Sequence, residues 1–109
     1  MELTTEVNEL YRKLLGELKK TGKLVVEEKK TSFHFKSGAA FAGVHPRKTY
    51  FILNIVSASP LKSPRIIKQE QVSKNRFHNR VKIANSGDID SELMGWLKEA
   101  YALTSHVTP

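Results

Sequence analysis

With 109 residues, 39% hydrophobic and 27% charged, the chain has the size of one domain around one core, and its balance suits a soluble globular fold, not a disordered tail. It contains no cysteine, which excludes disulfides, thiolate metal sites and a cysteine nucleophile. A net charge of +7 would attract phosphates or acidic surfaces.

The charge is concentrated. Arg47 to Lys82 carries nine Lys and Arg residues against Glu70 alone, whereas the segment from Ile83 onward is net acidic. The N-terminus, MELTTEVNEL, lacks the basic start and apolar core of a signal peptide. No apolar run reaches the roughly 20 residues needed to cross a bilayer. Together these features lead us to expect a cytoplasmic chain without membrane contact.

Thr4 or Thr5 is a candidate N-cap, with Glu6 and Glu9 at the end where the helix dipole favours negative charge. Val7, Leu10, Tyr11, Leu14, Leu15 and Leu18 then recur at helical spacing, which predicts an amphipathic helix with one apolar stripe. Its polar face mixes both signs of charge, favouring packing on a sheet over a membrane surface. Lys19 and Lys20 suit its C-terminal end, and Gly22 is expected to stop it in the left-handed conformation. Gly16, inside the helix, is expected to permit close approach to the sheet.

Lys23 to Glu28 reads as a short strand whose charged end marks an edge or a turn. Thr31, Phe33 and Phe35 alternate with Ser32, His34 and Lys36, as a strand with one buried face requires. A turn at Lys36-Ser37-Gly38, a strand over Ala40 to His45, a break at Pro46-Arg47-Lys48 and a nearly all-apolar strand over Tyr50 to Val56 follow. Two prolines and three serines in Ser57 to Arg65 predict an irregular loop of the kind that often carries function. Ile66 to Val72 is ambiguous between a strand and a short helix. Phe77 to Ala84 alternates again and is the fifth predicted strand.

Asn85-Ser86-Gly87-Asp88 predicts a turn, with Asp88 as N-cap of a closing helix and Asp90 and Glu92 in its first turn. Ile89, Leu93, Trp96, Leu97, Ala100 and Tyr101 share one face of that helix. Residues 104–109 are expected to fray. The whole, residues 1–109, reads as a single α+β domain with about five strands in a mainly antiparallel sheet. Both helices are expected on one face, over Phe33, Phe35, Phe51, Leu53, Ile55, Phe77, Val81 and Ile83.

Three stretches, KTSFHFKSGAAFAGVHPRK at the first hairpin, RVKI at Arg80 to Ile83 and DIDSELMGWLKEAY at Asp88 to Tyr101, resemble the domain of unknown function 5655 family. The resemblance runs from about Lys30 to Leu103, and the last stretch is its most specific part. Members occur alone and at the end of larger proteins with restriction-endonuclease-like regions, which implies an association with nucleic-acid proteins and assigns no activity. Relatives carry a histidine just before the Arg-Val pair, where this chain has Asn79 preceded by His78. The resemblance carries over no catalytic residue.

With the aromatic side buried, the opposite side of the sheet would present His34, Lys36, Tyr50, Asn54, His78, Arg80 and Lys82. Rings among amides and cations can stack on bases and hold phosphates, as open sheets do with single strands. The leading expectation is therefore a non-catalytic binding module for nucleic acid or another anionic partner, such as an acidic protein. A solvated polar face or a self-associating, protein-binding surface explains the same residues, so both a monomer and a homodimer stay open. An enzyme with an unrecognised small-molecule pocket is the third reading.

Other chemistries find little support. His34, His45, His78 and His106 lack the close pairing of a zinc site and have no thiolate to assist them; neither a metal nor a cofactor is expected. Asp88 and Asp90 are better explained by the helix start than as an acid pair. Ser57, Ser59 and Ser63 have no nucleophile-elbow context, and Gly38 and Gly43 do not form a phosphate loop. Trp96 sits at a packing position.

Overall fold

In the computed structural model, which describes residues 2–105, α1 spans Thr5–Thr21. Its apolar stripe is the predicted one: Val7, Leu10, Tyr11, Leu14 and Leu18 are buried, and Leu15 packs against them from a partly buried position. Thr4 is the N-cap, its hydroxyl accepting from the Val7 amide at 3.2 Å and donating to the Lys48 carbonyl at 2.7 Å. The cap thus also ties the helix to the loop before Phe51.

Two expectations about glycine are corrected. Gly22 does follow the helix, but its backbone is extended, with φ 162° and ψ −175°. What requires glycine there is space, because a Cβ would lie 2.5 Å from the Tyr101 hydroxyl. Gly16 has nothing within 4 Å of a Cβ position and mediates no close approach.

The sheet has six strands: β1 Val25–Glu28, β2 Phe33–Ser37, β3 Ala39–Pro46, β4 Phe51–Ser57, β5 Ile66–Ser73 and β6 Arg76–Ile83. Their order is β1-β2-β3-β4-β6-β5, and every neighbouring pair is antiparallel. The expected five become six because Ile66 to Val72 resolves as a strand. Its side chains are nearly all exposed, so the apolar signal was weak; pairing with β6 makes it a strand.

Both helices lie on one face, where a single core joins them to Phe33, Phe35, Val44, Phe51, Leu53, Ile55, Val81 and Ile83. Tyr11 of α1 stacks on Phe33 with ring centroids 4.5 Å apart. Tyr101 of α2, Ser91–Ser105, meets Phe41 edge-on at 5.4 Å. Phe41 enters the core through a bulge: Phe35 pairs with Ala42 and Lys36 with Ala40, leaving Phe41 as the extra residue. A bulge of this kind turns two successive side chains the same way, so both Phe41 and Ala42 are buried. Phe77, expected in the core, is only half-buried, because it pairs with Ser57 and Gln71 where β4 and β5 end.

The start of the closing helix also differs from expectation. Asp90, not Asp88, is the cap, its carboxylate accepting from the Leu93 amide at 3.0 Å. The Asp88 carboxylate turns back to the amides of Ala84 and Asn85, at 2.8 and 3.1 Å, and ends a 3-10 turn over Ser86–Asp88. Thr104 and Ser105, expected to fray, belong to α2, and Thr104 is buried. The rest of the expected tail, residues 106–109, lies outside the described residues, as does His106. No helix is long and apolar enough to cross a membrane among the described residues.

Candidate functional site

The face opposite the helices is built from the alternate residues of the same strands. One row of register partners crosses all six of them: Glu27, His34, Gly43, Asn54, Arg80 and Lys68. Gly43 is the low point of this row. A Cβ there would touch His34 Cδ2 at 3.7 Å and His45 Nε2 at 3.8 Å, so the two imidazoles lean over the glycine from either side.

His34, His45, Asn54, His78 and Arg80 consequently line one hollow of about 240 Å³. A second hollow of about 330 Å³ adjoins it, lined by Ile52, Ile67, Lys68 and Arg47 together with the shared His45 and Arg80. Ile67 reaches this face through another bulge. Ile66 pairs with Val81 and Lys68 with Arg80, so Ile67 is the extra residue and remains 58% exposed.

Of the predicted site residues, His34, Asn54, His78 and Arg80 are thus brought together. Lys36 faces the same way but is bound to Glu27 at 3.3 Å, and Glu27 also holds Lys29 at 2.5 Å. Tyr50 and Lys82 pair with each other, the ammonium 4.5 Å from the ring centroid, which is a cation–π contact. These two flank the hollows and line neither.

The predicted site left out His45, Arg47, Ile52, Ile67 and Lys68. His45 follows the buried Val44 and would have been placed by alternation, but the bulge puts Phe41, Ala42 and Val44 all inside and obscures the period of the strand. Ile52 looked like part of a strand buried on both faces. Nothing in the segment Ile66 to Val72 signalled a bulge.

Electrostatically the hollow gathers one guanidinium and three imidazoles. Burial, and then the nearby Arg80, His34 and Arg47, hold the His45 pKa below its ordinary value. Among the described residues Arg80, His34, His45 and His78 have no ion pair and no side-chain hydrogen bond. Glu70 is the register partner of His78 but is exposed and forms no ion pair with it. Asn54 Oδ1 is buried without a hydrogen-bond partner. The groups here are those that bind an anion carrying a hydrogen-bond donor. Among the described residues no group of three His, Asp or Glu side chains is placed to hold a metal ion.

Asn79 points to the other face and is fully buried. Its amide donates to the Ile55 carbonyl at 3.0 Å and the Ser57 hydroxyl at 2.9 Å, and its oxygen accepts from Gln69 at 2.7 Å. Gln69 in turn donates to the Leu61 carbonyl at 2.9 Å, fastening the loop before β5. Arg65, at the end of that loop, binds Asp90 at 2.9 Å and Glu92 at 3.1 Å and lies over Trp96. The serine- and proline-rich loop is therefore fastened at Leu61 and Arg65 by contacts that hold the fold.

Fold and face together define a small α+β domain with helices on one side of an antiparallel sheet and a cationic, imidazole-rich surface on the other. The chain belongs to the family described as Domain of unknown function (DUF5655), whose model matches residues 3–104. No curated protein and no solved structure matches the chain.

Proposed function

We propose that this domain is a non-catalytic binding module that takes nucleic acid, as a phosphate-bearing partner, on the open face of its sheet. One observation carries this reading: Arg80, His34, His45 and His78 share a hollow without a carboxylate to neutralise them. Arg80 is a cation without a counter-ion there, and an incoming phosphate supplies one while leaving its other oxygens to accept from imidazole N–H groups. The concentration of Lys and Arg between Arg47 and Lys82 extends the attraction beyond the hollow. We place such a module in the cytoplasm.

Fluorescence anisotropy of labelled single- and double-stranded oligonucleotides, at low and at high salt, tests the proposal. Binding at low salt that falls steeply as salt rises is the expected result, since phosphate contacts release counterions. No binding at low salt would sink it.

A second reading, self-association or docking on a protein, is favoured by the edges of the sheet. Val25 on β1 is 63% exposed, and Val72 on β5 is 47% exposed. Unpaired edges with apolar side chains are templates for another strand. A stable dimer in light scattering, with the amides of β1 or β5 protected from hydrogen exchange, would favour this reading over nucleic-acid binding.

A further inference from the structure

The two hollows on the open face differ in chemistry and share Arg80 and His45. One has apolar walls, Ile52 and Ile67, inside a rim of Arg47, Lys68, Arg80 and His45. Ile67 is 58% exposed and leaves apolar area in water beside these basic side chains, so an apolar group held there by the charges would gain by covering it. The other hollow has imidazoles, Arg80 and the unpartnered oxygen of Asn54. A ligand spanning both must have a flat or compact apolar part and a negative charge within a few ångströms of it.

We infer that the paired hollows form a site for one unpaired nucleotide, its base lodged between Ile52 and Ile67 and its phosphate on Arg80. This rests on the nucleic-acid reading above and sharpens it from a charged surface to a site for a nucleoside phosphate. The apolar hollow, at about 330 Å³, lies at the low end of the range for small-ligand pockets, about 300–1,000 Å³, which suits a compact group such as one base. A duplex keeps its bases stacked and its flat faces covered, so it can offer phosphates to Arg80 but no base to the apolar hollow. His45, held neutral chiefly by burial, can lie against a base without the hydration that a charged ring carries.

The experiment compares three labelled oligonucleotides of equal length at low salt: a single strand, the same strand with several abasic positions, and the duplex. Each is titrated with the wild type and with Ile67→Ser. Ile67 is exposed, so the variant keeps the core, which circular dichroism checks. The single strand should bind about fivefold more tightly than the abasic strand or the duplex, the low end of what a base contact contributes, and Ile67→Ser should erase that preference by lowering single-strand affinity to that of the duplex. Equal affinity for all three, or no effect of Ile67→Ser, would overturn the nucleotide site while leaving the phosphate-binding reading intact. No binding to any of them would remove both, and binding to anionic vesicles alone would point to a lipid headgroup and overturn both as well. Adenosine monophosphate as competitor separates two sources of the same chemistry. Displacement means that a free nucleotide suffices, retention means that flanking phosphates are needed, and either supports the site once the strand preference is seen.

Discussion

The Ser37 hydroxyl lies 2.7 Å from the Thr104 hydroxyl, joining the end of β2 to the last turn of α2 across 67 residues of chain. Both side chains are buried, and the backbone completes the cluster: Ser37 Oγ reaches the Tyr101 carbonyl at 3.0 Å and Thr104 Oγ1 the Ala100 carbonyl at 3.2 Å. The contact fixes where the C-terminal helix ends on the sheet.

Removing either hydroxyl should cost about 1–2 kcal/mol, because the remaining one loses a buried partner. Ser37→Ala and Thr104→Val measured singly and together by urea denaturation should give a double variant much less destabilised than the sum, since they share one interaction. Strict additivity would mean that the two hydroxyls act independently.

Gly38, next to Ser37, has φ 90°, and a Cβ there would lie 2.8 Å from the Thr104 carbonyl oxygen. The obstacle is backbone, so it cannot swing aside. Gly38→Ala should destabilise by about 1–3 kcal/mol through strain and clash together, visible as a lower denaturation midpoint. Gly16→Ala, with open space at the position, should instead stabilise by up to about 1 kcal/mol.

Asn79 and Arg80 are consecutive and face opposite ways, so their variants should separate stability from binding. Asn79→Ala strips the partner from the buried Gln69–Asn79–Ser57 network and should cost about 1–3 kcal/mol. Arg80→Ala removes an exposed cation that has no partner in the fold and should change stability by less than about 0.5 kcal/mol. The same substitution should weaken binding of an oligonucleotide and lower the salt slope by about one. Loss of stability in Arg80→Ala, with binding intact, would contradict the assignment.

Acid should weaken the fold in two separate windows. The folded pKa of His45 is depressed by burial and by Arg80, His34 and Arg47. The unfolded chain therefore takes the proton first, and stability declines as pH falls below the ordinary histidine value of about 6.5 until the folded value is reached. The carboxylate of Asp90 is held below its ordinary value by the Leu93 amide first and Arg65 second. Its contribution is present above the ordinary value near 4 and is lost as pH falls through the folded one. Thermal melts from pH 7.5 to 3 should show both declines, with His45→Gln flattening the upper one and Asp90→Asn the lower.

By itself the sequence determined the class of fold and both buried faces. Helical spacing placed Val7 to Leu18 and Leu93 to Ala100, and the alternation of Phe33 with Phe35, Phe51 with Leu53, and Val81 with Ile83 placed the core side of the sheet. Burial of regular elements leaves this periodic record because each side chain's direction follows from its position in the element. Four of the seven predicted site residues, His34, Asn54, His78 and Arg80, were legible for the same reason, as members of the opposite phase. Only the tertiary structure decided that they meet in one hollow, because strand order and register are set by pairings between distant segments. It also decided the places where the period breaks. The bulges at Phe41 and Ile67 each shift the phase by one residue, bringing an aromatic ring into the core in one case and an isoleucine beside Arg80 in the other, and local sequence carries no mark of a shift that the neighbouring strand imposes.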